Sequence, residues 1–356
     1  MDDLLQRCRA LTECDGVPGQ EHEVRKLMEG YLEGSAQIER DHLGSLIAVR
    51  HGDVSGPKLM LAAHLDEVGF LITDITDEGF LRFEPLGGWW EQVMLAQRVR
   101  IHTRKGALTG VIGSKPPHVL PAEERKKPVE MKDMFIDIGV ASAEEAREAG
   151  VRPGDPAVPI CPFTPLANDK FLMAKAWDNR AGCVAVLETM RTVGEHPNIL
   201  YGVATVQEEV GLRGAETSTF AVQPDIGIAV DVCIAGDTPG MKPEEARAKL
   251  GKGPCLLLYD RSMVPHRGLR DYVIDMAEAE GIPLQFDSMA GGGTDAGRIH
   301  LFGKGVPTVA LCVPTRYIHS HAAIIHRDDL ENTIRLLVTL VRSLDAATVQ
   351  EIVDKG

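Results

Sequence analysis

The strongest constraint in this sequence is a rhythm that sets in after Pro165. Short, uninterrupted apolar runs, "FLMAKAW", "ILYGVATVQ", "DIGIAV", "PCLLLYD" and "TVALCVP", alternate with stretches whose apolar residues recur every three to four positions. A strand buried on both faces needs apolar side chains on both, so it reads as a continuous apolar run rather than an alternating one. Strands of that kind interleaved with amphipathic helices predict an α/β fold: a doubly wound mixed sheet flanked by helices. The stretch "NRAGCVAVLETMRTVG" is read as one such helix, and others are predicted over 266–280, 294–302 and 328–344.

Before Pro165 the texture differs. Two amphipathic helices are predicted at the start. The first places Leu4, Leu5, Cys8 and Leu11 on one face, and the second does the same with Val24, Leu27, Met28, Tyr31 and Leu32. "SLIAVR" and "KLMLAAH" read as strands. From Val68 to Pro165 the strand-like pieces are short and divided by Gly and Pro, as in "GFLITDI", "FLRFEPL", "QRVRIHTR", "LTGVIG" and "FIDIGV". One helix is expected at "SAEEAREAG", where Ser142 can cap and Gly150 can stop it. The expected organisation is a discontinuous main domain, residues 1–67 and 166–356. An inserted β-rich unit of barrel or PDZ-like type, residues 68–165, interrupts it.

Charge narrows the function classes. The net charge of −14 makes a surface that repels phosphate backbones and anionic lipid, so neither nucleic acid nor membrane is expected as a partner. No apolar run approaches the roughly 18 residues of a membrane span. The basic cluster in "EERKKPVEMKD" is interleaved with acids and reads as a solvated loop. The seven cysteines are scattered, with no C-x-x-C pair, and several sit in apolar runs. They read as buried thiols in a reducing compartment, so a cytoplasmic setting is expected.

The chemistry lies just beyond the strands. "KLMLAAHLDEVG" leads to His64 and Asp66, and "FLMAKAWDN" to Asp178. "ILYGVATVQEE" ends in Glu208 and Glu209, "DIGIAVD" in Asp231, and "TVALCVPTRYIHS" leads to His319. In open α/β sheets ligands bind outside the carboxyl ends of the strands, so these groups are expected in one crevice. Taken singly, an Asp after a strand is usually a turn or cap residue, and a lone His is usually structural. Taken together, four carboxylate-bearing strand ends cannot all stay ionised without a counter-charge. Lys170, Lys175, Arg180 and Arg213 could compensate in part. Divalent metal is the more economical answer, and mixed His/Asp/Glu ligation suits zinc, cobalt or manganese. Two histidines and three carboxylates exceed what one tetrahedral ion with an open position needs, which points to two ions sharing a bridging carboxylate. Of the two adjacent glutamates, one can then ligate while the other faces the water as general base.

The segments "AAHLDEVGF", "AWDNRAG", "VQEEVGLRGA", "AVDV" and "RYIHS" resemble, in order and over nearly the whole chain, the signature segments of the TET-type aminopeptidases. These are glutamyl or deblocking metallopeptidases that share a fold with other zinc exopeptidases. The resemblance implies that His64 and Asp231 bind one metal, Glu209 and His319 the other, and that Asp178 bridges. It implies Glu208 as general base and Asp66 as the residue orienting His64. It also implies peptide substrates, dimerisation through the inserted domain, and self-assembly into a tetrahedral dodecamer. His321 competes with His319 for the ligand role; the match at "RYIHS" selects His319. His118 and His266 read as loop or surface residues.

"MAGGGTDAGRIH" lacks a nucleotide-binding pattern. Thr294 is expected to cap a helix with Asp295 in its first turn, and Gly292, Gly293, Thr294 and Asp295 are expected to line the substrate cleft. Arg316 is a candidate partner for an acidic substrate side chain. The leading expectation is a metal-dependent aminopeptidase. Alternatives are an N-acyl-amino-acid deacylase using the same site, an endoglucanase-type glycosidase, which would need only two carboxylates, and an inert assembly protein.

Overall fold

The computed structural model describes Asp2 to Gly356 and joins a large mixed sheet to a closed barrel. The chain opens with helices α1 (Asp3–Glu13) and α2 (His22–Leu32), whose predicted apolar faces are buried or half-buried against the core. Strands β1 (Gln37–Arg40), β2 (Leu46–His51) and β3 (Lys58–His64) follow. The chain then leaves the sheet for the barrel, formed by β4 (Gly69–Ile75), β5 (Leu81–Leu86), β6 (Arg98–Thr103), β7 (Gly106–Gly113), β8 (Phe135–Asp137) and β9 (Pro156–Pro159). These close in the order β4-β5-β8-β7-β6-β9 around Phe70, Ile72, Leu81, Val99, Ile101 and Ile136. Helix α3 (Ala143–Glu148) sits between β8 and β9, and its Ser142 hydroxyl accepts from the Glu145 N–H as the sequence predicted.

The chain re-enters the sheet through β10 (Thr164–Pro165) and β11 (Phe171–Ala174). There follow α4 (Trp177–Thr192), β12 (Ile199–Thr205), α5 (Arg213–Val222), β13 (Ile226–Ile234), β14 (Cys255–Asp260), α6 (Arg267–Ala279), β15 (Gln285–Met289) and α7 (Ala296–Ile299). The last elements are β16 (Thr308–Arg316), β17 (Ala323–His326), α8 (Arg327–Ser343) and α9 (Ala346–Asp354). The strand order is β1-β2-β12-β3-β13-β16-β17-β11-β10, with β14 and β15 branching from β16. Strands β12, β3, β13 and β16 are mutually parallel, so their carboxyl ends share one edge.

Both faces of this parallel core are covered, as its continuous apolar runs require. Along β3, Leu59, Leu61 and Ala63 join the cluster beneath α1, α2, α4 and α8, while Met60 and Ala62 join a second cluster with Val222 of α5 and Ile299 of α7. None of the described helices is long and apolar enough to cross a membrane. The seven cysteines are all free.

Some expected elements differ. The strand "FLMAKAW" stops at Ala174, because Lys175 turns inward to pair with Glu67 and Trp177 begins α4. The helix predicted over 294–302 is a single turn, α7. Thr294 does not cap it; its hydroxyl donates to the buried Asp260 carboxylate at 2.9 Å.

Candidate active site

The parallel strands deliver their predicted groups to one place. His64 is the last residue of β3, and Asp231 lies near the end of β13, its parallel neighbour. Glu208 and Glu209 follow β12, and Asp178 sits in the irregular start of α4. His319 follows β16 with a left-handed backbone, φ +57°. His64 Nε2 lies 3.1 Å from Asp178 Oδ1 and 3.8 Å from both Glu208 Oε2 and Asp231 Oδ1. His319 Nε2 lies 3.3 Å from Asp178 Oδ2 and 3.4 Å from Glu209 Oε1. Asp178 therefore divides its two oxygens between the two imidazoles. Ligand atoms of His64, Asp178 and Glu209 lie within 4.8 Å of one another, as do those of His64, Glu208 and Asp231.

Asp66 meets the His64 ring through its main chain. The Nδ1 of His64 is 3.0 Å from the Asp66 main-chain carbonyl but 3.7 Å from its carboxylate. That carboxylate instead accepts the N–H groups of Glu208 and Glu209, each at 3.0 Å. One residue thus orients the imidazole and fixes the backbone of both glutamates.

The electrostatics show a site short of positive charge. Burial pushes the Glu208 and Asp231 carboxyls well above the usual range, and neighbouring carboxylates add to it: Glu209, Asp231 and Asp295 for Glu208, and Asp178 and Asp295 for Asp231. Burial and Asp178 raise Glu209 as well. Asp178 alone is held low, because the flanking imidazoles of His319 and His64 outweigh its burial. His319 is pushed up to about 11 by Asp178 and Glu209, against its burial.

The four basic side chains considered as compensators are engaged elsewhere. Lys170 pairs with Asp328, and Lys175 with Glu67 and Asp15. Arg180 donates to the carbonyls of Leu65, Leu11 and Cys14, and Arg213 to the Gln207 side chain. Among the described residues, the only ion-pair partners of Asp178, Glu208, Glu209 and Asp231 are the two histidines. Glu209 Oε1 is buried without a hydrogen-bond partner. Convergent oxygen and imidazole donors with an orphaned buried carboxylate oxygen are the donor set that suits borderline divalent cations.

The cluster opens into a cleft of about 1310 Å³. Gly292 and Gly293 line it. Thr294 and Asp295 do not: both are buried, and Asp295 accepts from the Thr205 hydroxyl. Arg316 is also outside the cleft lining, its guanidinium forked onto Asp237 at 2.8 Å for both bonds. The unselected His321 is buried against Trp89 with neither ring nitrogen partnered, and burial pulls it down to about 4. The sequence reading missed the contribution of the barrel. Gly87 and Gly88, just after β5, lie so close to Glu209 and His319 that a Cβ on them would sit 3.0 Å from Glu209 Oε2 and 3.1 Å from His319 Nδ1, respectively.

Residues 44–336 match the model of the M42 glutamyl aminopeptidase family. The chain is 37% identical to the glutamyl aminopeptidase of Lactococcus lactis subsp. cremoris, over 98% of this chain and 99% of that one. Its structure superposes on the TET aminopeptidase of the marine sediment archaeon Thaumarchaeota archaeon SCGC AB-539-E09 with a TM-score of 0.97, at 48% identity, covering 99% and 100% of the two chains. It also superposes on the Pyrococcus horikoshii TET1 peptidase, which can assemble into a tetrahedron or a large octahedral shell, with a TM-score of 0.87 at 35% identity, covering 96% and 100%.

Proposed function

The chain belongs to the M42 glutamyl aminopeptidase family and is an aminopeptidase, and on that footing we propose a dinuclear, metal-assisted mechanism with Glu208 as its general base. The observation that supports it is the uncompensated charge: four carboxylates converge, and among the described residues only two imidazoles answer them. His64 and Asp231 would hold one cation, Glu209 and His319 the other, with Asp178 shared between them. Zinc, cobalt or manganese would suit these donors. When bound, such a pair neutralises the carboxylates, acidifies water and polarises a carbonyl oxygen.

The chain's own residues supply the rest. Glu208 is buried beside the cluster, its Oε2 3.8 Å from His64 Nε2, and burial with its carboxylate neighbours pushes its carboxyl well above the usual range. It takes a proton from the attacking water and returns it to the departing amine. Asp66 keeps Glu208 in place through its backbone N–H and keeps the His64 ring oriented through its carbonyl. The cleft admits a peptide along Gly292 and Gly293, with its free amine toward the acidic cluster. Asp295 supports the wall through Thr205 rather than touching substrate. The barrel, β4 to β9, would serve dimerisation. Assembly into a tetrahedral dodecamer, in line with the tetrahedron formed by the TET1 peptidase and the dodecamer of PhTET1-12s, would confine access to short or unfolded peptides. A cytoplasmic setting fits the free thiols.

The test starts with purified protein stripped by chelator and reloaded with zinc, cobalt or manganese. It is assayed on aminoacyl-p-nitroanilides and on their N-acetylated counterparts. Restored release from free-amine substrates alone is expected. Glu208→Gln should lower kcat by about 10²–10⁴-fold while metal content stays at the wild-type level. Unchanged turnover would remove Glu208 from the mechanism, equal p-nitroaniline release from the acetylated substrates would overturn the need for a free amine, and release of acetate instead would make the protein a deacylase.

A further inference from the structure

The backbone carrying Glu208 and Glu209 is irregular, and two buried carboxylates hold it. β12 ends at Thr205, and two residues later Gln207 takes a left-handed φ of +56°. For a non-glycine residue that conformation costs about 1–2 kcal/mol, and it persists only where the surroundings enforce it. The Gln207 N–H donates to Glu21 Oε1 at 3.0 Å. The next two N–H groups, of Glu208 and Glu209, donate to the two oxygens of Asp66. Three consecutive amides are therefore fixed by acceptors from two distant segments.

Glu21 has no part in the mechanism derived so far, yet its placement is specific. It stands at the N-terminal end of α2, where a side chain ordinarily caps the helix for about 1 kcal/mol. It makes no such bond. The carboxyl turns the other way, accepting from the Gly19 N–H at 2.8 Å and from Gln207. It is 5% exposed and, among the described residues, pairs with no lysine or arginine. A buried carboxylate that forgoes both a cap and a cation, and reaches instead for one strained amide, is placed for that amide.

We propose that Glu21 is a positioning residue for the general base: by anchoring the Gln207 N–H it fixes the left-handed pivot that aims Glu208 into the cleft. The inference rests on Glu208 serving as base. What matters is an acceptor at this point rather than a charge, since Oε1 alone receives both N–H groups. A glutamine presents the same oxygen, whereas an aspartate is one methylene too short to reach both donors.

The test compares Glu21→Gln, Glu21→Asp and Glu21→Ala with wild type, each loaded with metal. The measurements are kcat and KM on an aminoacyl-p-nitroanilide, metal content by mass spectrometry, and amide hydrogen exchange over residues 206–212. Glu21→Ala and Glu21→Asp should lose about 10–100-fold in kcat with KM within twofold, while exchange at 206–212 accelerates. Glu21→Gln should retain wild-type kcat and protection. If Glu21→Ala fails to fold, Glu21→Asp carries the comparison. Wild-type kcat and protected amides in Glu21→Asp would overturn the proposal. So would a loss in Glu21→Gln equal to that in Glu21→Asp, because charge rather than acceptance would then be at work. Wild-type protein that cleaves no aminoacyl substrate would instead defeat the aminopeptidase mechanism itself, a separate outcome.

Discussion

Gly87→Ala tests how closely the barrel is fitted to the catalytic cluster. Gly87 has φ +84°, and an added Cβ would lie 2.6 Å from Val68 Cγ1, 3.0 Å from Glu209 Oε2 and 3.3 Å from Glu209 Cβ. Carbon atoms pack at about 3.5–4.0 Å, so the methyl overlaps Val68 by roughly 1 Å and presses on Glu209. The cost has two parts. The left-handed backbone contributes about 1–2 kcal/mol, and overpacking contributes about 1–3 kcal/mol. Gly154 isolates the first part: its φ is +93°, and nothing lies within 4 Å of an added Cβ. Gly154→Ala should therefore lose about 1–2 kcal/mol in urea unfolding and keep wild-type kcat. Gly87→Ala should lose about 2–5 kcal/mol. If the glutamate gives by several tenths of an ångström, kcat should fall about 10-fold or more, given that roughly 1 Å of misplacement costs about 100-fold. Unfolding midpoints, kcat on an aminoacyl-p-nitroanilide and metal content together decide it. A Gly87→Ala enzyme matching Gly154→Ala in kcat and metal content would refute the claim that this loop bears on Glu209.

Two further outcomes follow from the charged side chains Arg180 and Asp15. Arg180 is fully buried and donates to the carbonyls of Leu65 and Cys14 at 2.7 Å each, as well as to Leu11. Arg180→Met should cost about 3–5 kcal/mol in urea unfolding; a loss below about 1 kcal/mol would contradict a structural role for these bonds. Asp15 joins Arg100 and His102 of β6 to Lys175, and against its burial these partners hold its carboxyl well below the usual carboxylate range. A folded-state pKa depressed below the unfolded value of about 3.9 gives stability that is present above that pH and lost as pH falls. Asp15→Asn should be less stable than wild type at pH 7, and the gap should begin to narrow below about pH 4 and shrink steadily as pH falls further. A gap unchanged between pH 7 and pH 2 would place the origin of the stabilisation elsewhere.

The sequence carried the cluster but not its supports. His64, Asp178, Glu208, Glu209, Asp231 and His319 were legible because strand ends are marked by apolar runs, and polar groups after such runs share an edge when the strands are parallel. Asp66 was visible as a residue near His64, but its grip on the Glu208 and Glu209 amides was not, since a carboxylate that binds main chain leaves no pattern in side-chain identity. Gly87–Gly88 announce a turn; they do not say that the turn lands on His319 and Glu209 from another part of the fold. Thr294 and Arg316 fit cap and cleft roles by local rules, and tertiary partners, Asp260 and Asp237, claimed them instead. β1, β15 and β17 were missed because each has four or five residues and lacks a long apolar run.

Adjacent side chains on a regular strand point to opposite faces, so two neighbouring glutamates on β12 could not both enter one crevice. The chain resolves this by leaving the sheet at Thr205 and reversing its backbone hand at Gln207. Beyond that pivot, Glu208 reaches toward His64 and Glu209 toward His319, the same two imidazoles that Asp178 spans with its two oxygens. Such proximity is self-opposing. Burial raises both carboxyls, with Glu209 and Asp231 adding to it at Glu208 and Asp178 at Glu209, and a free loop would relax by swinging one of them into solvent. Here it cannot. Asp66 holds both amides from one side, and the Gly211 and Leu212 N–H groups close on the Glu208 carbonyl from the other, at 2.9 and 2.8 Å. The rigidity of this turn keeps the negative charge concentrated, and concentrated charge gives a divalent cation something to bind.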